Sequence, residues 1–337
     1  MKVKKIIALL LSMSMLAGMS VGSFADDGLT IGESQENEVS YDVFDLETGE
    51  EYQIKAESFY EEGEEITVPA QAAVGNDEMI PFSEEEIADM QNYFAEHASS
   101  TVPYGYDESW RKVSNTSVEP YRSIAKIKIT WTDGTYNYGS GVAVGDGVVL
   151  TAAHCLYHPK YRKKVYRLDI YFGQNGNYYY KSATGKQYYL PSGWKDLSDY
   201  ELTMDYGAIL IDKSVTKAVG TLSYSTIIPT TSDTLTLTGY PVVDSHPQYN
   251  GLNCYKDTGK ITGFYTGKLA YKHDMNCTEG DSGAPVYKDY GNSYAYGDDY
   301  VVCGIHSGDF KQYESSGAAK TIDSKVLNMI RTAENAA

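Results

Sequence analysis

The chain has 337 residues and carries 46 Asp and Glu residues against 28 Lys and Arg residues, a formal net charge of −18. This length allows one or two domains with a hydrophobic core. The acidic balance argues against a nucleic-acid partner, because nucleic-acid binding requires a basic surface. All four cysteines follow residue 150, and their presence fits an oxidising compartment.

The first 25 residues have the features of a secretory signal peptide. Lysines stand at positions 2, 4 and 5, an apolar stretch begins at Ile6, and small residues lead to Ala25. The unbroken apolar stretch is shorter than the roughly 20 residues that a membrane-spanning helix needs. We therefore expect cleavage after Ala25, secretion of the protein, and no stable membrane anchor.

Residues 26–100 form an acidic region ahead of the rest of the chain. It contains 22 Asp and Glu residues and one basic residue, Lys55, whereas acids and bases balance over residues 101–337. This pattern is typical of a propeptide that is removed on activation, with a solubilising disordered tail as the alternative. One helix is expected here, over residues 83–94, because three glutamates occupy its first turn.

From about residue 120 onward, short β-rich stretches recur between Gly, Asn and Asp turns. This spacing predicts an all-β protein, either a sandwich or a barrel. Residues 213–231 lack a strand pattern and are expected to connect two β units, and residues 323–332 are expected to form a C-terminal helix. The expected strands cover residues 124–131, 142–150, 165–172, 206–211, 234–237, 260–264, 268–272 and 300–305.

Three polar residues of this region form a possible base, acid and nucleophile. His154 lies in Thr-Ala-Ala-His-Cys, Asp205 opens an apolar strand, and Ser282 lies in Gly-Asp-Ser-Gly-Ala-Pro. A serine hydroxyl is a weak nucleophile at neutral pH, so it needs a histidine to take its proton and an acid to orient that histidine. The chain order His, Asp, Ser belongs to chymotrypsin-like enzymes, whereas subtilisin-like enzymes and α/β-hydrolases have other orders.

Other assignments of these residues are less consistent with the sequence. Asp196 and Asp199 are alternative acids, but neither leads directly into an apolar run. An esterase of the α/β-hydrolase type requires glycine at position 284, where this chain has alanine. His154 and His158 have a spacing that would suit a metal pair on a helix. The sequence around His154 explains it without a metal, so no metal or cofactor is expected.

The chain resembles chymotrypsin-like serine endopeptidases, and within them the bacterial secreted glutamyl endopeptidases. Besides the His and Ser motifs, the resemblance rests on Arg111 to Ile124 and on Gly304-Ile305-His306. It implies a protease domain over residues 101–337, made of two six-stranded antiparallel β-barrels with a short C-terminal helix. The first barrel would cover about residues 117–215 and the second about 228–320, with the catalytic site at their seam.

The resemblance implies a role for each of the three polar residues. Ser282 attacks the scissile carbonyl, His154 acts as general base and then as general acid, and Asp205 orients His154. The backbone N–H groups of Gly280 and Ser282 form the oxyanion hole, because glycine at position 280 lets its amide turn toward the developing charge. A catalytically silent binding protein on the same fold is the alternative.

The resemblance also implies a specificity. In glutamyl endopeptidases a histidine beside the primary pocket helps to bind the substrate carboxylate, and His306 matches that position. Thr278 and Ser307 are expected to line the same pocket. A histidine can accept a carboxylate and gain charge as it does so. We therefore expect cleavage of protein or peptide substrates after Glu, or after Asp. A monomer is the default expectation for the oligomeric state. The same chemistry with apolar or broad specificity is the alternative.

Two expectations concern processing and cross-linking. The mature N-terminus is expected near Thr101 to Pro103. Residues 254–277 fold back symmetrically about a turn at Phe264 to Gly267, which would place Cys254 opposite Cys277 across a hairpin. We predict a disulfide between these two cysteines, although four cysteines allow three connectivities. Cys155 and Cys303 either pair or stay as thiols, and no CxxC pattern suggests a metal site.

Overall fold

The structure, a computed structural model, describes residues 39–56, 58–75, 78–96, 110–242, 249–291, 299–309 and 317–337. The predicted signal peptide and the expected mature N-terminus near Thr101 lie outside these residues. The described chain is mostly β-sheet and has three α-helices. No helix in the described ranges has the length and apolar character needed to cross a membrane.

The elements are numbered in chain order. The helices are α1 (Glu84–Glu96), α2 (Lys213–Val219) and α3 (Ser324–Asn335). The strands are β1 (Val39–Asp45), β2 (Glu51–Ala56), β3 (Thr67–Val68), β4 (Ile80–Pro81), β5 (Arg111–Lys112), β6 (Ile124–Trp131), β7 (Tyr136–Gly145), β8 (Val148–Thr151), β9 (Tyr157–His158), β10 (Lys163–Phe172), β11 (Tyr178–Tyr179), β12 (Lys181–Thr184), β13 (Gln187–Pro191), β14 (Gly207–Leu210), β15 (Ser223–Ser225), β16 (Leu235–Gly239), β17 (Tyr255–Gly259), β18 (Ile261–Phe264), β19 (Ala270–His273), β20 (Pro285–Asp289), β21 (Tyr300–Asp309) and β22 (Gly317–Thr321).

The first large sheet is antiparallel and has the strand order β12-β10-β6-β7-β8-β14-β13-β1-β2, with β9 pairing to β10. Its inner strands are rich in Ile, Val and Leu, the residue types that fit a buried pleated surface. On β8, for example, Val148, Val149 and Leu150 are fully buried. These strands contribute most of the largest hydrophobic cluster among the described residues, which also includes residues of the second sheet and of α3. His154 follows β8, and Asp205 precedes β14.

The second large sheet has the strand order β18-β19-β22-β21-β20-β16-β17-β5, and β15 pairs with β21 and β3. All of its pairings are antiparallel except that of β15 with β21. A smaller core that includes Leu237, Tyr271 and Val286 lies within this sheet. Helix α2 and strand β15 connect the two sheets, and the loop between β19 and β20 carries Ser282.

The described residues of the range 39–96, called the N-terminal segment below, are folded onto both sheets. Strand β1 pairs with β13 of the first sheet and with β2, whereas β3 pairs with β15 of the second sheet. Helix α1 contributes Met90 and Tyr93 to a buried cluster with Tyr138. The acidic region therefore contains ordered structure, which is at odds with the alternative of a solubilising disordered tail for these residues.

The predicted all-β class and the C-terminal helix are confirmed. Each sheet has ten strands rather than six. The difference arises because the N-terminal segment supplies β1 and β2 to the first sheet and β3 to the second, and because short strands such as β5, β9 and β12 lie at the edges. Strands β1 and β2 were not predicted because strands were expected only from about residue 120 onward, and two-residue strands such as β5 and β9 are too short to show an alternation.

The disulfide predicted between Cys254 and Cys277 is not formed. All four cysteines lie among the described residues, and each is a buried thiol. The hairpin of β18 and β19 begins at Ile261, which is opposite His273. The preceding strand β17 pairs instead with β16 and β5. The turn also lies later than predicted, because Phe264 is opposite Tyr271. The symmetry assumed for residues 254–277 therefore does not hold, and the two cysteines belong to different hydrophobic clusters.

Candidate active site

A cleft of about 370 Å³ is lined by three of the predicted site residues, His154, Ser282 and Ser307. From the first sheet it is formed by the chain after β8 and the chain before β14. From the second sheet it is formed by the loop before β20 and the end of β21. The lining residues are His154, His158, Pro159, Lys160, Tyr161, Asp199, Tyr200, Ser282, Ser307 and Gly308. The cleft therefore lies where the two sheets meet.

His154 and Asp205 are brought together by the pairing of two strands. Strand β8 pairs with β14, and Thr151 lies opposite Gly207. The residues after β8 and those before β14 therefore leave the sheet at the same end of these two strands. The backbone N–H of His154 donates to Asp205 Oδ1 at 2.9 Å. His154 Nδ1 lies 2.8 Å from Asp205 Oδ2. The carboxylate thus holds both the backbone and the ring of His154.

The charges of this pair stabilise each other. Burial alone would lower the pKa of His154, but the Asp205 charge and their hydrogen bond outweigh burial, and the pKa of His154 is raised well above its usual value. Burial would raise the pKa of the Asp205 carboxyl, yet His154 and the surrounding donors hold that pKa below its usual range. Asp205 therefore stabilises the charged form of His154, and His154 stabilises the carboxylate.

Two further hydroxyl groups that the sequence did not reveal as partners donate to Asp205. The Tyr200 hydroxyl donates to Asp205 Oδ2 at 2.9 Å, and the Ser307 hydroxyl donates to the same oxygen. The Tyr200 ring also lies edge-on to the His154 ring, with 5.8 Å between the centroids. Ser307, expected in the primary pocket, lines the cleft but directs its hydroxyl to the acid.

Ser282 lies in a tight loop that requires glycine at two positions. Gly280 has φ +89° and Gly283 has φ +84°, in the region that favours glycine. A Cβ on Gly280 would lie 2.3 Å from the Tyr240 carbonyl oxygen. Strand β7 fastens the loop, because Ser140 Oγ donates to the Gly280 carbonyl at 2.7 Å and Ser140 N–H donates to the Ser282 carbonyl at 2.8 Å.

The N–H groups predicted to form an oxyanion hole are not used elsewhere in the described ranges. Neither Gly280 nor Ser282 donates its backbone N–H to another described residue. The Ser282 hydroxyl lines the cleft together with His154 and makes no hydrogen bond within the described part of the chain. In unliganded active sites the contact between nucleophile and base is often long and tightens only when substrate binds.

His306 lies directly behind the Ser282 loop. Its N–H donates to the Ala284 carbonyl at 2.8 Å, and its own carbonyl accepts from the Gly283 N–H at 2.7 Å. The His306 ring is buried, and its Nδ1 lies 3.2 Å from Nε2 of His273. Burial lowers the pKa of His273 to about 4, so His273 is neutral at neutral pH. The sequence offered no signal for this histidine pair.

Thr278 braces the Ser282 loop from its other side. The Thr278 N–H donates to Asp281 Oδ2 at 3.1 Å, and its hydroxyl donates to the Val242 carbonyl at 3.3 Å. Asp281 is buried, and burial raises the pKa of its carboxyl well above the usual value while the Thr278 bond opposes this shift. Thr278, predicted at the primary pocket, is not among the residues that line the cleft.

Two large β-sheets that meet at a cleft containing His154 and Ser282 define a chymotrypsin-fold serine protease domain. A family model described as Trypsin matches residues 113–329, more than half of the chain. The chain belongs to the trypsin family of serine proteases. This match begins after the N-terminal segment.

Individual relatives agree with this family. The chain is 31% identical over 189 residues to a glutamyl endopeptidase of Bacillus licheniformis, covering 55% of this chain and 54% of that protein. It is 31% identical over 193 residues to a protein of Bacillus subtilis named extracellular metalloprotease, covering 56% and 58%. The matched part thus spans little more than half the length of these curated relatives.

Solved structures share the fold at lower identity. A Glu endopeptidase structure is 22% identical, with a TM-score of 0.57, and the match covers 68% of this chain and 98% of that one. The protease Anisep from Arthrobacter nicotinovorans is 19% identical, with a TM-score of 0.53, and the match covers 67% and 99%.

Proposed function

We propose that this protein is a serine endopeptidase that uses Ser282 as nucleophile, His154 as general base and Asp205 as the orienting acid. The observation that carries the proposal is the 2.8 Å contact between His154 Nδ1 and Asp205 Oδ2 beside the cleft that His154 and Ser282 both line. The family supports the reaction class, because it is one of serine proteases.

The proposed reaction follows from these positions. Ser282 Oγ attacks the scissile carbonyl carbon, and His154 takes the hydroxyl proton. The same proton then passes from His154 to the leaving amine, which departs as the acyl-enzyme forms. A water molecule attacks the acyl-enzyme by the same proton transfers. Asp205 keeps the ring of His154 oriented and stabilises the imidazolium in both steps.

The Gly280 and Ser282 N–H groups are proposed to bind the oxyanion of the tetrahedral intermediates. Both groups lack an acceptor within the described part of the chain, so both can donate to substrate. The positive φ of Gly280 and the bonds from Ser140 fix the loop before substrate arrives. Preorganised donors of this kind contribute about 100- to 1000-fold in turnover.

We further propose that the enzyme cuts after Glu, and after Asp as a second choice. The name of the Bacillus licheniformis relative supports this preference. We assign recognition of the substrate side-chain carboxylate to His306, which lies directly behind the Ser282 loop and whose ring is buried and outside the present cleft lining. His273 would assist, because Nε2 of a neutral His273 can accept a hydrogen bond from the Nδ1–H group of a charged His306.

We propose that the protein is made as a precursor and exported. Residues 1–25 would act as a signal peptide, and residues 26–100 as a propeptide separated from the protease domain by a cut near Thr101 to Pro103. The name of the Bacillus subtilis relative, an extracellular protein, supports export. If the enzyme itself cuts after Glu96, a few residues before this position, a Ser282→Ala chain will keep its N-terminal region. A Ser282→Ala variant with the same mature N-terminus as the unmodified protein would assign the processing to another protease.

A peptide panel that varies only the residue before the scissile bond tests activity and specificity together. We expect cleavage after Glu, weaker cleavage after Asp, little cleavage after the isosteric Gln, and none by the Ser282→Ala variant. Serine-dependent cleavage after apolar or basic residues would support the serine protease proposal and would contradict the proposed role of His306. Equal cleavage by Ser282→Ala, or no labelling of Ser282 by a fluorophosphonate, would reject the catalytic proposal.

A further inference from the structure

The N-terminal segment contributes a strand and core side chains to the first sheet. Strand β1 pairs with β13 over five residues, from Tyr41 opposite Pro191 to Asp45 opposite Gln187. The Phe44 ring stacks on the Tyr188 ring, with 4.6 Å between centroids and 8° between planes. Tyr41, Val43 and Phe44 are buried in the same core as the protease strands. Departure of the segment would therefore open this core to water.

Helix α3 carries a side chain that binds the backbone of the segment. Asn328 is 1% exposed, and its Oδ1 accepts from the N–H groups of Phe59 at 2.7 Å and Tyr60 at 3.1 Å. Its Nδ2 donates to Ser58 Oγ and to the Tyr60 carbonyl, each at 3.1 Å. One buried amide thus makes four hydrogen bonds to residues 58–60, and the segment satisfies it completely.

Hydroxyl groups near the connection between the sheets bind the segment in the same way. Thr226 Oγ1 accepts from Ile66 N–H at 2.8 Å. Ser223 Oγ accepts from Ala70 N–H at 2.9 Å, and Thr221 Oγ1 accepts from Gln71 N–H at 2.8 Å. Backbone bonds from Thr226 to Ile66 and from Thr221 to Gln71 complete the contact. The protease domain therefore presents a continuous row of partners to this part of the segment.

Helix α1 covers the part of the first sheet that carries Lys126 and Lys128. Met90 and Tyr93 pack there with Tyr138, and the Tyr93 and Tyr138 rings meet edge to face at 4.8 Å. Lys126 lies beneath them, fully buried, with its Nζ 3.8 Å from the Tyr138 ring centroid. Asp89 forms an ion pair with Lys128 of the same strand. Glu51 of the segment likewise forms an ion pair with Lys164 of β10, so two acids of the segment are paired with lysines of the sheet that it covers.

The segment does not enter the cleft. None of its described residues is among those that line the cleft of His154 and Ser282. A segment that does not line the cleft can stay bound while peptides reach Ser282. We propose that residues 39–96 remain bound to residues 110–337 after the chain between them is cut, so that the processed protein consists of two chains.

A controlled cut tests this proposal without relying on the activity of the protein. In the Ser282→Ala chain, part of residues 97–109 is replaced by the recognition sequence of an unrelated site-specific protease. After complete cutting, we expect both fragments to elute in one size-exclusion peak at the volume of the uncut chain, in equal amounts by intact mass, and to separate only in denaturant. Elution of the protease-domain fragment alone in native buffer would overturn the proposal.

Matched variants locate the contacts that retain the segment. Phe44→Ala and Asn328→Ala are expected to release the segment from the cut protein at a lower urea concentration than the unchanged cut protein requires. Val74→Ala is the control, because the Val74 side chain is 84% exposed, and its release point should not move. Release of the segment from all three variants at the same urea concentration as from the unchanged cut protein would contradict the proposed contacts.

Discussion

The Tyr200 hydroxyl donates a 2.9 Å hydrogen bond to Asp205 Oδ2, the oxygen that also contacts His154 Nδ1. Burial, and then the Asp205 charge, raise the pKa of the Tyr200 phenol well above its usual value, so it remains a donor over the working range of the enzyme. The Tyr200 side chain therefore lines the cleft and is also hydrogen-bonded to Asp205, the residue that contacts the His154 ring.

Replacement of Tyr200 by Phe should change the pH dependence of catalysis. Without the phenol donor, more of the Asp205 charge acts on His154, so the pKa of His154 rises and the acidic limb of kcat/KM moves to higher pH. We expect kcat/KM at neutral pH to fall about tenfold, because hydrogen bonds to charged groups are worth roughly 1.5–3 kcal/mol. Tyr166→Phe is the control, since Tyr166 is 66% exposed. An unchanged pH profile would limit Tyr200 to packing.

The unmodified enzyme should be most active on the alkaline side of neutrality. His154 must be neutral to accept the Ser282 proton, and its pKa is raised above the usual value of about 6.5 by Asp205. The acidic limb of the kcat/KM profile should therefore have its midpoint above about 6.5. In Asp205→Asn, we expect turnover to fall about 10⁴-fold. A midpoint below 6 in the unmodified enzyme would be inconsistent with the His154–Asp205 pair as the catalytic base.

Replacement of Gly280 by Ala should damage the proposed oxyanion hole. The new Cβ would lie 2.3 Å from the Tyr240 carbonyl oxygen. The backbone at position 280 has φ +89°, a conformation that alanine rarely adopts. The loop must shift, and the two N–H donors then lose their alignment. We expect kcat to fall about 100- to 1000-fold, with a smaller change in KM. A Gly134→Ala control has an equally positive φ but open space around its Cβ, so it should cost stability without loss of kcat.

The sequence was sufficient for the parts of the protein that depend on local pattern. The strand expected over residues 124–131 coincides with β6, and the expected C-terminal helix corresponds to α3. His154 and Asp205 could be paired in advance because their chain order, together with Ser282, is specific. The contact between Tyr200 and Asp205 could not be predicted, since it depends on how the chain turns before β14. No periodicity encodes such a tertiary contact.

The N-terminal segment shows a different limit of sequence reasoning. Its acidic composition suggested a removable region, and composition alone does not distinguish a loose tail from a docked segment. Tyr41 and Val43 alternate with polar residues, as in a half-buried strand, and this was the available signal for β1. The Cys254–Cys277 prediction failed for the related reason that hairpin symmetry holds only while the two strands continue to pair.

Stability should decrease as pH falls below neutrality because of His273. Burial lowers the pKa of His273 to about 4, whereas an unfolded histidine titrates near 6.5. Between these values the unfolded chain binds more protons than the folded chain. The contribution of neutral, buried His273 to the free energy of unfolding is therefore constant above about pH 6.5. It is lost as pH falls toward 4, by up to about 3 kcal/mol. His273→Gln should flatten the pH dependence of the urea midpoint over this window. An unchanged slope would show that His273 does not titrate as its burial implies.

A disulfide should form at the site if Gly139 is replaced by Cys. A Cβ on Gly139 would lie 3.1 Å from Cys155 Sγ, close to the roughly 3 Å that separates Cβ and the opposite sulfur in a disulfide. The bridge would close a loop of about 15 residues and stabilise the fold by up to about 3 kcal/mol. The same Cβ lies 3.2 Å from the Ser282 carbonyl oxygen, so the loop must yield slightly.

Thiol titration in denaturant separates the outcomes for Gly139→Cys. The unmodified chain has four cysteines, and the variant should show three reactive thiols after oxidation and five after reduction. Its unfolding temperature should exceed that of Gly139→Ser, which adds similar bulk without a bridge, and the difference should vanish with reductant. Five thiols after oxidation would mean that Cys155 is directed away from Gly139. Since Cys155 Sγ also lies 3.6 Å from the Ser282 carbonyl, that result would require a different arrangement of the chain behind the nucleophile.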